Sequence, residues 1–212
     1  MLGGSEVSEK LFKVLVVGDI EVGKTSIVMR YVKKCFDQAY KATIGVDFFM
    51  KTVEWDAKTV VRMQLWDLSG QDRIKNLSRV YYKAAMGALV VFDITNSLIL
   101  KSAAEWKQDL DSKLCLDSRR PVPAVLLANK CDLMETKDED LVSSLDRFCK
   151  DNNFLGWFET SAKENINIDE AGSFLVKQMM LCDGGLSDEE HQRDGIKSLT
   201  QTPMKISGTS CC

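Results

Sequence analysis

Gly18-Asp19-Ile20-Glu21-Val22-Gly23-Lys24-Thr25 fits the phosphate-loop pattern G-x-x-x-x-G-K-[ST], and its flanks decide how it is read. Before it, residues 11–17 form an apolar, β-branched run broken only by Lys13; after it, residues 26–34 place apolar side chains at helical spacing. The order is strand, tight turn, helix. In such a turn Gly18 and Gly23 let successive backbone N–H groups point into one concavity. The helix that starts there adds its positive end, so a polyphosphate can be held. Lys24 would neutralise the outer phosphates, and the Thr25 hydroxyl would take magnesium.

Beyond this unit, the helical pattern gives out over residues 35–43. Residues 46–55 and 60–66 read as two strands joined at Asp56-Ala57-Lys58, a hairpin. Residues 67–77 carry no period and read as a mobile loop leading into a helix near Tyr81. Strand-like runs at 88–92, 122–128 and 156–160 alternate with helical patterns at 98–114, 139–151 and 168–181. That alternation predicts an α/β fold in three layers: a mostly parallel six-stranded sheet with one antiparallel edge strand and helices on both faces. Residues 1–10 read as a flexible N-terminus, 11–181 as the folded domain and 182–212 as a flexible tail.

The 212 residues suit one domain of ordinary size with a tail to spare. A formal net charge of -3 gives no reason to expect a nucleic-acid partner. No segment is long and apolar enough to span a membrane. Met1-Leu2-Gly3-Gly4 lacks a signal-peptide core and has Leu2 where N-myristoylation needs glycine, so a cytosolic chain is expected. Cys35, Cys115, Cys131, Cys149 and Cys182 show no metal-ligand spacing and read as free thiols in a reducing compartment; the lone His191 reads as solvated.

In open parallel sheets ligands sit beyond the carboxyl ends of the strands. The loops expected there are the phosphate loop, Asp67-Leu68-Ser69-Gly70-Gln71, Asn129-Lys130-Cys131-Asp132 and Ser161-Ala162-Lys163. The bland alternative is that each is a polar loop capping a strand.

In this order and spacing, the loops resemble those of the small GTPases of the Ras superfamily, over residues 11–181. Ile44-Gly45-Val46-Asp47-Phe48, Arg62-Met63-Gln64-Leu65-Trp66, Tyr81-Tyr82 and Phe92-Asp93-Ile94-Thr95 resemble the Rab branch. Residues 106–114, 124–133 and 156–171 further resemble the Rab subgroup of lysosome-related organelles and late secretory or endolysosomal traffic. The resemblance implies a three-layer P-loop NTPase (small G-protein) fold and a GTPase domain that binds GTP or GDP with Mg2+. It places Glu21, Val22, Gly23, Lys24, Thr25 and Ser26 around the phosphates, and Thr25, Thr43 and Asp67 on the metal, Asp67 through water. Gly70 would offer its N–H to the γ-phosphate, and Gln71 would orient the attacking water, with Lys24 and Thr43 in the catalytic set.

On the base side, Asp132 would accept hydrogen bonds from guanine N1–H and its amine, while Asn129 and the Ala162 N–H address the other edge. Lys130 and Phe36 would cover the ring faces, and Ser161 and Lys163 would complete the base loop. Phe36 and Lys130 can equally be plain packing residues. Hydrogen-bonded readout of this kind discriminates by about 10⁴-fold or more, because the wrong base leaves buried groups unpaired. Phe48, Trp66 and Tyr81, with Ile44, match the surface on which Rab effectors dock; the alternative is that these rings fill the core.

Departures fall close to the chemistry. Ile20 and Glu21 stand where many relatives have small residues, and a branched side chain there would crowd an incoming arginine finger, so weak stimulation by activating proteins is expected. Ile74 replaces an aromatic on a partner-facing surface. Ser78 falls where several Rabs are phosphorylated, a change that would add about -1.5 to -2 charge. In the tail, Asp183, Asp188, Glu189, Glu190 and Asp194 outnumber Arg193, Lys197 and Lys205, so it is no polybasic membrane patch. The terminal Cys211-Cys212 resembles a double prenylation signal.

The resemblance further implies a monomer served by a nucleotide exchange factor, a GTPase-activating protein, a GDP-dissociation inhibitor, the prenylation machinery and trafficking effectors. Prenyl anchors would hold it at the cytoplasmic face of endolysosomal, lysosome-related or trans-Golgi membranes, cycling with the cytosol. The leading expectation is a membrane-trafficking switch that hydrolyses GTP slowly. A nucleotide-dependent scaffold with negligible hydrolysis is the alternative, and an ATP-using kinase is disfavoured by Asn129, Lys130 and Asp132.

Overall fold

The computed structural model describes residues 7–39, 41–71, 78–96, 100–114, 121–134 and 139–184. In chain order the elements are β1 (Ser8–Val17), α1 (Lys24–Lys33), β2 (Val46–Asp56), β3 (Thr59–Leu68), α2 (Ser78–Tyr82) and β4 (Gly87–Asp93). They continue with α3 (Leu100–Lys113), β5 (Ala124–Asn129), α4 (Glu139–Asp151), β6 (Gly156–Thr160) and α5 (Ile168–Cys182). The six strands form one sheet in the order β2-β3-β1-β4-β5-β6. Only β2 runs antiparallel to its neighbour, so the expected architecture holds.

Alternation along the central strands builds two cores. Val14 and Val16 of β1 face α1 and α5, joining Ile27, Tyr31, Leu175 and Met179. Leu15 and Val17 face the other way, joining Tyr82, Trp106, Leu110 and Leu145 of α2, α3 and α4. A strand buried on both faces has no polar side to show, which is why β4, β5 and the second half of β1 read as apolar runs.

Element ends differ from the sequence reading where pairing, rather than side-chain pattern, sets them. Residues 8–10, expected to be loose, belong to β1: Ser8 pairs with Thr59, and its N–H donates to the Lys58 carbonyl at 2.7 Å. Lys10 Nζ then meets Asp183 Oδ2 at 2.6 Å, just past the end of α5. Asp67 and Leu68, expected in a mobile loop, are the last residues of β3, Asp67 pairing with Val16 on one side and Asp47 on the other. The first helix begins at Lys24 rather than residue 26.

Cys35, Cys131, Cys149 and Cys182 are free thiols. Burial, with the Asp146 carboxylate beside it, pushes the Cys149 thiol up to about 12. Among the described residues no helix is long and apolar enough to cross a membrane. Cys115, Ile74, the Ser78 side chain, His191, Cys211 and Cys212 lie outside the described residues.

Candidate functional site

The loops that follow β1, β3, β5 and β6 open on one edge of the sheet around a cavity of about 560 Å³. Glu21, Gly23, Lys24, Thr25, Ser26, Phe36, Thr43, Gly70, Gln71, Asn129, Lys130, Asp132, Ala162 and Lys163 all line it. Val22, Asp67 and Ser161 stand one layer behind. Ile44, Phe48, Trp66 and Tyr81 lie outside it.

At the phosphate end, Gly23 caps α1 in a left-handed conformation, φ 95°. A Cβ there would come within 2.3 Å of Asn129 Nδ2, so glycine serves both the turn and the approach of the base loop. Lys24 is 6% exposed and its Nζ donates to the Asp19 carbonyl at 2.6 Å. Burial lowers its pKa to about 8, against the pull of Asp67 and Asp19, so the ammonium stays charged at neutral pH. Glu21 holds a left-handed backbone, φ 63°, and Ile20 is 47% exposed at the rim. Both residues line the cavity.

Thr25 and Thr43 Oγ1 lie 2.8 Å apart, and Thr25 also donates to Asp67 Oδ2 at 2.5 Å. Asp67 is fully buried, and its other oxygen, Oδ1, has no hydrogen-bond partner. Burial raises its pKa to about 6, partly offset by Thr25 and Lys24. Two hydroxyls and a buried, half-satisfied carboxylate form an oxygen donor set that fits magnesium, a cation that would satisfy Oδ1 and favour the ionised acid. Gly70 presses on the phosphate loop so closely that an added methyl would sit 2.5 Å from the Ile20 nitrogen. Gln71 is exposed beside it, its N–H donating to Ser69 Oγ at 3.3 Å.

At the base end, Asn129 is 2% exposed and braces two loops. Its Nδ2 donates to the Val22 carbonyl at 2.8 Å, and its Oδ1 faces the Ala162 N–H at 3.3 Å and the Thr160 hydroxyl at 3.4 Å. Nδ2 carries a second N–H beyond the one given to Val22. Ser161 is fully buried, and its hydroxyl donates to Asp132 Oδ1 at 2.6 Å, aiming the carboxylate rather than touching the cavity. Lys130 Nζ pairs with Asp93 Oδ2 at 2.6 Å, which leaves the aliphatic stem to form a wall. Phe36 lines the cavity and also packs on the first core.

The aromatic surface is a mixture as well. Phe48 is 60% exposed and meets Trp66 edge-on at 4.5 Å; Tyr81 lies 6.4 Å from Trp66. Trp66 and Tyr81 rest on the second core while Ile44, 92% exposed, stands free. Beneath them Lys13 Nζ sits 3.4 Å from the Trp66 ring centroid and donates to the Lys83 carbonyl.

Two supports were not legible in the sequence. Asp19 Oδ1 accepts from Ser102 Oγ at 2.6 Å and Trp106 Nε1 at 2.9 Å, tying the phosphate loop to α3. Arg30 reaches from α1 to the carbonyls of Ala162 and Lys163. Their partners lie more than eighty residues away, at spacings no local pattern marks.

Residues 13–181 match the model of the Ras family. The chain is 53% identical over 207 residues to mouse (Mus musculus) Ras-related protein Rab-32, covering 98% of this chain and 92% of that protein. It is 50% identical over 213 residues to human (Homo sapiens) Ras-related protein Rab-7L1, covering 96% and 98%. Ras-related protein Rab-32A of Dictyostelium discoideum is 47% identical over 207 residues, covering 97% and 94%. With a phosphate loop, a buried carboxylate beside two threonine hydroxyls and a braced Asn129–Asp132 loop on one cavity, the chain belongs to the Ras family, in its Rab branch, and is a small GTPase that hydrolyses GTP.

Proposed function

We propose that this GTPase is a magnesium-dependent trafficking switch whose GTP-bound form recruits effectors through Ile44, Phe48, Trp66 and Tyr81. The observation that carries the reading is the donor set of Thr25, Thr43 and Asp67 beside the buried Lys24, at one end of a cavity whose other end is Asn129 and Asp132. Thr25 and Thr43 would hold the magnesium, with Asp67 acting through water, and the bound ion would offset charge on the outer phosphates. Lys24 adds its own charge, and the Gly70 N–H engages the γ-phosphate. Gln71 orients the attacking water. Asp132, held by Ser161, accepts from guanine and would face repulsion from the acceptor edge of adenine.

Thr43 and Gly70 belong to the two segments that contact the γ-phosphate. Its loss frees both and alters the docking surface, an order-to-disorder switch. The family supports regulation by an exchange factor, an activating protein and a GDP-dissociation inhibitor. It also supports action at membranes of lysosome-related or endolysosomal traffic, with prenyl chains on Cys211 and Cys212. Two chains suit the physics, each buried CH₂ contributing about 0.8 kcal/mol where one lipid anchors only marginally. Intact mass of protein isolated from cells reads those chains directly, and an unmodified mass removes them from the mechanism.

Single-turnover hydrolysis of bound GTP by the purified protein, beside Gln71→Leu, tests the switch. Slow turnover that falls about tenfold or more in the variant is expected, since misplacing the water costs orientation. Equal rates would favour the second reading, a nucleotide-dependent scaffold, which Ile20 and Glu21 at the cavity rim support. In the same assay with an activating protein added, Ile20→Gly is expected to be stimulated several-fold more than the native chain; equal stimulation sinks the crowding argument.

A further inference from the structure

Arg30 lies near the end of α1, on the side of the helix away from the phosphates, and its guanidinium hydrogen bonds run to main-chain oxygens. Nε donates to the Ala162 carbonyl at 2.8 Å, one Nη to the Lys163 carbonyl at 2.9 Å and the other to the Lys34 carbonyl at 3.1 Å. Lys34 is the residue at which the chain leaves α1, in a left-handed conformation with φ 56°. Its own N–H returns to the Arg30 carbonyl at 3.1 Å, so Arg30 grips it from both sides of the peptide chain. Two residues further on stands Phe36, a wall of the cavity.

One side chain thus joins two parts of the site that are more than a hundred residues apart in sequence. Ala162 and Lys163 form the base-edge loop, and Lys34 roots the segment that carries Phe36. With its carbonyl held by Arg30 and its N–H directed toward Asn129 Oδ1, Ala162 has little freedom to rotate. A planar guanidinium suits this task, since a fork of fixed N–H vectors imposes direction as well as attraction, whereas an ammonium is a point charge. The neighbouring Lys34–Asp169 pair at 2.6 Å spans a similar gap, but both side chains are about half exposed and such pairs contribute little.

We propose that Arg30 is a positioning residue for guanine: acting through the Ala162 and Lys163 carbonyls, it holds the base-edge N–H in register and so sets how long the nucleotide stays bound. The proposal rests on the reading of the Ala162 N–H as a donor to guanine O6. It assigns to α1, beyond its phosphate-binding first turn, a second role at its other end.

The test is nucleotide release from the full-length protein loaded with GDP or with 6-thioguanosine diphosphate, chased with excess GTP, with magnesium and after chelation. The thio analogue keeps N1–H and the amine but has sulfur, a weak acceptor, in place of O6. Arg30→Ala is expected to release GDP about tenfold faster or more in both conditions, the scale of losing charge-assisted hydrogen bonds, and Arg30→Lys to fall between. Release of the thio analogue should rise less than about threefold, because the contact being aligned is already weak.

Equal acceleration of both nucleotides would mean general loosening and would overturn the proposal, as would unchanged GDP release. A native protein that releases both nucleotides at one rate would remove the O6 reading itself, and the proposal with it. Discrimination in the native protein with equal acceleration in the variant removes Arg30 alone. If Arg30→Ala yields no loaded protein, Arg30→Lys carries the same comparison, with acceleration confined to GDP supporting the role and equal or absent acceleration overturning it.

Discussion

Asn129→Ala is expected to weaken GDP binding by about a hundredfold or more, the largest effect of any single side chain facing the base. The residue is 2% exposed, and its amide spans the Val22 carbonyl and the Ala162 N–H. Truncation leaves the Val22 carbonyl buried without its partner, at about 1–3 kcal/mol, removes the brace on the Ala162 loop and opens a void against Gly23. The phosphate loop and the base loop would then move independently, so release should accelerate at both ends of the nucleotide. Dissociation of a fluorescent GDP measures it. Release within threefold of the native rate would show that the two loops are held apart from Asn129.

Gly18→Ala is expected to destabilise the whole domain by at least about 3 kcal/mol, visible as a melting temperature lower by about 6–12 °C for a domain of this size. A Cβ at Gly18 would stand 2.1 Å from the Val91 carbonyl oxygen and 3.3 Å from Val22 Cγ2, on a backbone at φ 143° that L-residues rarely adopt. Val91 lies inside β4, so the clash falls on sheet backbone and cannot be relieved by a side-chain rotation. Gly156→Ala is the control: its Cβ would meet only the Phe174 ring at 3.7 Å, ordinary contact, and a change within about 0.5 kcal/mol is expected. Thermal unfolding of both variants with GDP bound decides it, and similar melting points would refute the backbone argument.

The fold was legible because its two kinds of element leave different periods in the chain. The buried strands β4 and β5 and the second half of β1 are apolar runs, and α1 and α4 carry helical spacing. What failed to show were the ends. Residues 8–10 look loose in isolation and are strand only because β3 runs beside them; Asp67 is strand because β1 and β2 flank it. Thr25 was visible as a member of the phosphate-loop motif and Asn129 and Asp132 as members of a loop after a strand, while Thr43 was named only through the family resemblance. Ser161 and Val22 were named with them but stand behind the cavity, holding Asp132 and accepting from Asn129. Their role depends on where partners 29 and 107 residues away come to rest.

By itself the sequence determined a strand, a phosphate loop and a helix at residues 11–34, with Lys24 for phosphate and Thr25 for metal, and the alternation that makes a parallel sheet; the guanine set was implied by the family resemblance. The strand, loop, helix and alternation are local properties, written in period and spacing. The tertiary structure alone decided that Asp67 is buried with one oxygen unsatisfied and that Lys24 is drawn down to about 8. It alone placed Asn129 across two loops and Arg30 on the carbonyls of a loop more than a hundred residues downstream. The physical reason is that desolvation and hydrogen-bond direction arise from atoms that the fold, and not the order of the chain, brings within 3 Å.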